Sequence, residues 1–151
     1  MPVVITFFGV VVTAAIGWFA ARRSQYERVL NVLDFISSSA VADARDNLGT
    51  LVVRRNGNAS HHLDDEHINS MVKDLFTMLW AFQRIHAVDR SIPAWPIFGP
   101  KRLLRDSTVA WVNYWSTNLD VVRTALGLDP AATSESDLGL VTLADAWQEA
   151  V

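Results

Sequence analysis

VVITFFGVVVTAAIGWFAARR, Val3 to Arg23, is the stretch on which the architecture turns. It has no charge before Arg22, and about 19 residues at ~1.5 Å each make a helix of ~28 Å. That length matches a hydrocarbon core of roughly 30 Å. A secretory signal carries its positive residues ahead of a shorter apolar run, whereas here Arg22 and Arg23 follow it. A buried core helix of this kind would need cover on all sides, more than so small a body supplies. A retained membrane anchor is therefore the expectation.

Arg22, Arg23 and Arg28 lie just beyond the span, and the positive-inside bias puts that side in the cytoplasm. The expected location is the inner (plasma) membrane, single-pass, with the N-terminus outside and the body inside. Trp18 and Phe19 fit an aromatic belt, so Trp18, Phe19, Arg22 and Arg23 form the expected interfacial anchors. Gly9, Thr13 and Gly17 recur every fourth residue, a small-residue face on which two membrane helices approach closely. Such residues are also simply common in membrane helices, and both readings stay open.

The rest of the 151-residue chain has room for one core, with a formal net charge of -3 and both signs interspersed. No basic field suited to nucleic acid is present. Absence of cysteine excludes disulfides, thiolate catalysis and cysteine-ligated zinc. Six tryptophans are many for this length, and Trp favours cores, interfaces and headgroup belts.

After Arg23, apolar residues from Tyr26 through Ile36 and from Val41 through Val52 recur at spacings of three and four, with a break expected at Ser37-Ser38-Ser39 and Ser39 as the cap. RRNGNAS, Arg54 to Ser60, is a loop whose glycosylation pattern a cytosolic body would leave unused. The stripe Ile68, Met71, Val72, Leu75, Phe76, Leu79, Phe82 and Ile85 predicts a helix over 64–88. SIPAWPIFGP, Ser91 to Pro100, is too rich in proline for helix. A helix follows over 101–126, with Leu104, Trp111, Val112, Trp115, Leu119 and Val122 inward and Gly127 as its stop. Ala131 to Gly139 reads as a polar linker, and Thr142 to Asp145 as the box opening a last short helix that carries Trp147.

The fold expected is all-α: a single N-terminal transmembrane helix followed by a three- to four-helix cytosolic bundle. The divisions are 1–23 for the anchor, 24–127 for the bundle and 128–151 for a polar linker with a short C-terminal helix.

HHLDDEH, His61 to His67, is the one cluster of metal-ligand types, and His61, His62, Asp64 and His67 would suit zinc, iron or manganese. Its spacing is not H-E-x-x-H, and a helix start explains it better: Asp64 as N-cap, Asp65 and Glu66 complementing the dipole. No cofactor is expected. His86 reads as a core-edge residue, and Ser107 and Thr108 have no neighbouring His in sequence and no nucleophile motif. Lys101, Arg102 and Arg105, close after Trp95 and Phe98, suit either anionic headgroups and a partner surface or a solvated helix start, the second being the plainer reading.

YERVLNVLDFISSSAVADARDNL, with Arg28 and Arg45 around its apolar run, is followed by DLFTMLWAFQRI and then LLRDSTVAWVNYWSTNLDVVR, ending at Arg123. In this layout, from Val3 to about Leu126, the chain resembles small uncharacterised bacterial and prophage proteins with one N-terminal membrane span and a cytosolic helical domain. The resemblance implies no catalytic residues. It does imply a further role, exclusion of another genetic element at the membrane.

The leading expectation is a membrane-anchored interaction or accessory protein, not an enzyme. Its partners would be the lipid bilayer and either another membrane protein or a second copy, engaged by the span and by Trp111, Trp115 or the Pro-Trp loop. A metal-dependent enzyme is the alternative.

Overall fold

Apolar residues at helical spacing need a common interior, and among the described residues five helices supply it. The computed structural model describes the backbone of residues 2–56, 64–93, 99–129 and 135–148, and the side chains of 13–53, 64–93, 99–129 and 139–147. The helices are α1 (Pro2–Ile36), α2 (Ser39–Asn56), α3 (Asp65–Ser91), α4 (Pro100–Ala125) and α5 (Glu135–Gln148). Helix α3 touches each of the other four, and α5 rests on α3 and α4.

Each helix contributes one buried stripe. Val29 and Val32 come from α1, Val41, Ala44, Leu48, Leu51 and Val52 from α2, and Leu75, Met78, Leu79, Phe82 and Ile85 from α3. Leu104, Val112, Trp115, Leu119 and Val122 of α4 close over them, and Leu140, Leu143, Ala144 and Trp147 of α5 complete the core. Burying a side chain of this size stabilises by about 1.5–3 kcal/mol. The ring of Phe82, 1 % exposed, sits 4.6 Å from that of Trp111.

The helix ends follow their local chemistry. Between α1 and α2, the amide of Ser37 donates to Leu33 O and Asp34 O, and that of Ala42 donates to Ser38 O at 3.0 Å. Ser38 therefore stands at the cap position, one residue before the serine expected there. Helix α4 begins on Pro100, whose missing N–H costs nothing in a first turn. It stops at Gly127, where φ is 71° and the amides of Gly127 and Leu128 donate to Thr124 O and Arg123 O. That pairing is a Schellman stop.

The expected anchor is corrected here. Among the described residues, no helix is long and apolar enough to cross a membrane. The apolar opening does not end as a separate span: α1 runs unbroken from Pro2 to Ile36, and the described part from Thr13 onward meets Arg22, Arg23, Glu27 and Arg28 within a few turns. The side chains of residues 2–12, Gly9 included, lie outside the described residues. Among the described residues, five helices replace the three- to four-helix bundle with an anchor. With the span go the single-pass inner-membrane location, the resemblance to anchored bacterial and prophage proteins, and the accessory and exclusion roles argued from it. The partners proposed on that basis, a bilayer and a membrane protein or second copy gripping the Gly9, Thr13 and Gly17 face, lose their support.

From Thr13 to Ala21 every residue of α1 is exposed, with Ile16 and Phe19 each at 64 %. The last helix also differs from expectation. It opens at Glu135, not Thr142, and Gly139, read as linker, is a buried helix position. A Cβ on Gly139 would stand 3.1 Å from Gln83 Cα, so the bare glycine is what lets α5 lie directly on the backbone of α3.

Candidate functional site

Helices α2 and α4 meet below their solvent edge and leave a groove above the contact. One wall is a single face of α2, since Arg45, Asp46, Gly49, Thr50 and Val53 fall at helical spacing; the other is Trp111, Tyr114 and Trp115 of α4. The groove has a volume of about 630 Å³, within the range of small-molecule sites, and its lining is mostly apolar.

Gly49 makes the space. A Cβ built there meets nothing within 4 Å, so the groove floor lies open over the α2 backbone. Val53, 70 % exposed, and Tyr114, 44 % exposed, form the rim, whereas Trp115 is only 2 % exposed and roots the wall in the core. Tyr114 and Trp115 meet edge to face at 5.3 Å.

Polar groups here are few and unequally satisfied. The indole Nε1 atoms of Trp111 and Trp115 are buried, closed to solvent, and make no hydrogen bond among the described residues. A buried donor without an acceptor costs about 1–3 kcal/mol, so two on one wall stand out. Arg45 donates from Nε to Asp46 Oδ1 at 3.1 Å, with both side chains at least half exposed. A separate, smaller cleft of about 370 Å³, lined by Ile36, Ser37, Ala42, Arg45, Ser107 and Trp111, lies by the α1–α2 junction. Arg45 and Trp111 belong to both.

Apart from Trp111 and Trp115, the residues singled out in sequence fall elsewhere. His61 and His62 lie outside the described residues, and Asp64 and His67 are a helix cap: Asp64 Oδ1 accepts from the His67 amide at 2.8 Å and stands 2.8 Å from His67 Nδ1. The backbone bond, then the ring contact, holds the Asp64 carboxyl below its ordinary value of 3.8. Among the described residues, no three His, Asp or Glu side chains gather to hold a metal ion, which overturns the metal-enzyme alternative.

Trp95 and Phe98 also lie outside the described residues. Lys101 Nζ donates to Asp89 O at 3.1 Å and pairs with Asp89 Oδ2 at 3.2 Å, tying the end of α3 to the start of α4. Arg105 Nη2 donates to Trp147 O at 2.7 Å and caps the end of α5. Arg102 pairs with Asp106 on the exposed face. In α1, Trp18 meets Phe19 edge to face, the Arg22 guanidinium lies 5.2 Å over Trp18, and Arg23 Nε donates to Glu27 Oε1. Thr13 and Gly17 are exposed, and a Cβ on Gly17 meets nothing.

Trp111 and Trp115 entered the sequence reading only as inward residues with some docking role. Arg45, Gly49, Thr50, Val53 and Tyr114 were missed. One signal was available: an isolated glycine inside an otherwise regular helix, at position 49, costs helix stability relative to alanine and leaves that face of α2 without a side chain. No protein-family model, no curated protein and no solved structure matches the chain.

Proposed function

We propose that this chain is a helical binding module whose α2–α4 groove receives a small, largely apolar molecule. The observation that carries the reading is the open groove of about 630 Å³ itself, floored by Gly49 and walled by the aromatic side chains of Trp111, Tyr114 and Trp115. An apolar body would pack against the rings, with Arg45 and Asp46 at the edge of the groove to orient a polar group. Catalysis is not part of the proposal, because the groove lining includes no histidine and its only titratable side chains are Arg45, Asp46 and Tyr114.

Gly49→Leu tests it, by filling the groove from its floor without touching the core. Titration calorimetry of the full chain with 2-naphthylmethanol should show saturable binding in the wild type and none in G49L. The variant should melt no lower than the wild type, since a helix-interior glycine is about 0.8–1.0 kcal/mol less favourable than alanine. A wild type that gives no saturable heat, or a G49L chain that binds equally well, overturns the proposal.

A further inference from the structure

One face of α3 stays open to solvent although it carries large rings. Phe76, which helical spacing groups with the core stripe, is 56 % exposed, and Trp80, one turn on, is 53 % exposed. Beside them lies a shallow depression of about 400 Å³, lined by Lys73, Phe76, Thr77, Trp80 and Gln83. Lys73, Phe76, Thr77 and Trp80 stand at i, i+3, i+4 and i+7, the four corners of a hole that receives one side chain of a facing helix. We propose that this face of α3 docks an acidic amphipathic helix of another protein, with one apolar side chain seated in the depression and carboxylates at Lys73 and Arg84. None of these residues lines the α2–α4 groove.

Charge selects the partner. Elsewhere in the chain cations face carboxylates, as Arg45 does with Asp46 and Lys101 with Asp89. Among the described residues, Lys73 and Arg84 face none, and they bracket the two rings ~16 Å apart along the helix axis. The neighbouring acid, Asp74, is turned away, its Oδ2 accepting from Asn47 of α2 at 2.8 Å. A stripe with rings in its middle and a bare cation toward each end is complemented by an apolar stripe between two acids. Arg84 is also held in place: its guanidinium lies 4.4 Å from the ring of Phe35 and 5.4 Å from that of Trp80. A side chain already ordered costs less to engage.

Two other occupants fit this face less well. A second copy would set cation against cation when the two stripes met. Single-stranded nucleic acid stacks its bases on open ring faces, and Arg84 already lies over Trp80.

The test uses three alanine-based helical peptides of about 20 residues that share a leucine stripe and differ only in the side chains flanking it, Glu, Gln or Lys. Binding to the full chain is read by fluorescence anisotropy. The Glu peptide should bind saturably and about fivefold more tightly than the Gln peptide, with the Lys peptide weakest and the differences shrinking as salt is added. Lys73→Glu combined with Arg84→Glu, both exposed positions, should reverse that order, and Phe76→Ala should weaken the Glu peptide about tenfold. No saturable binding of the Glu peptide, equal binding of all three, or a charge-reversed chain that keeps the wild-type order overturns the proposal. So does displacement of the peptide by an oligothymidylate, or a wild-type dimer in sedimentation that Phe76→Ala dissociates. The order of the three peptides on the wild type decides the matter even where a variant fails to fold.

Discussion

Gly127 holds a left-handed backbone that closes α4, and no side chain beyond hydrogen adopts φ 71° without strain. Gly127→Ala should lower unfolding free energy by about 1–2 kcal/mol, read as a reduced urea midpoint with unchanged slope. At the start of α3 the cap residue Asp64 links stability to acid. Its folded-state pKa is lowered by the His67 amide and ring, so its contribution is whole above the ordinary value of 3.8 and fades as pH drops through the lowered value. Asp64→Asn, which keeps an accepting oxygen, should flatten that acid limb of the melting curve, while Asp64→Ala should lower the melting temperature at neutral pH as well. The role of Asp64 was legible because caps are local: an acid ahead of an apolar stripe needs no distant partner to act. Arg45 was not legible. Its importance depends on which side chains of α4 it faces, and nothing within a few residues of it encodes that.

Helix α3 could be read directly from its stripe because a 27-residue amphipathic helix repeats its signal many times over. Helix α5 was misread at its start for the opposite reason. With only 14 residues it offers few turns of pattern, and its Gly139 serves a contact that sequence presents as a breaker. Arg105 gives that short helix a tether, donating to the Trp147 carbonyl at its end. Arg105→Met should destabilise by about 1.5–3 kcal/mol, since the bond has a charged donor. Hydrogen exchange should locate the loss, with protection falling first in α5 while the amides of α3 hold. By contrast, Phe82→Ala removes a buried ring from the core face of α3, the helix that touches the other four, and should cost about 3–5 kcal/mol, with exchange rising throughout.

Over the whole molecule, the all-α class and the break at Ser37 to Ser39 could be read from periodicity, while the placement of the opening stretch could not. Hydropathy counted over Val3 to Ala21 treats those residues as an independent unit, but the backbone carries them into a helix whose far half is core of the bundle. The uncovered turns from Thr13 to Ala21 contribute little to folding, so replacing Ile16 and Phe19 together by Ser should change stability by no more than about 0.5 kcal/mol. A larger loss in chemical denaturation would mean that those side chains have a partner within the fold. The contact of Gly139 with the Gln83 backbone has a longer reach in time. Trimming the side chain at 83 cannot make room, because the obstruction is a main-chain atom. Among descendants of this chain, site 139 should change more slowly than the exposed neighbours Val141 and Thr142, because any larger residue there has to move the backbones of α5 and α3 apart by a few tenths of an ångström.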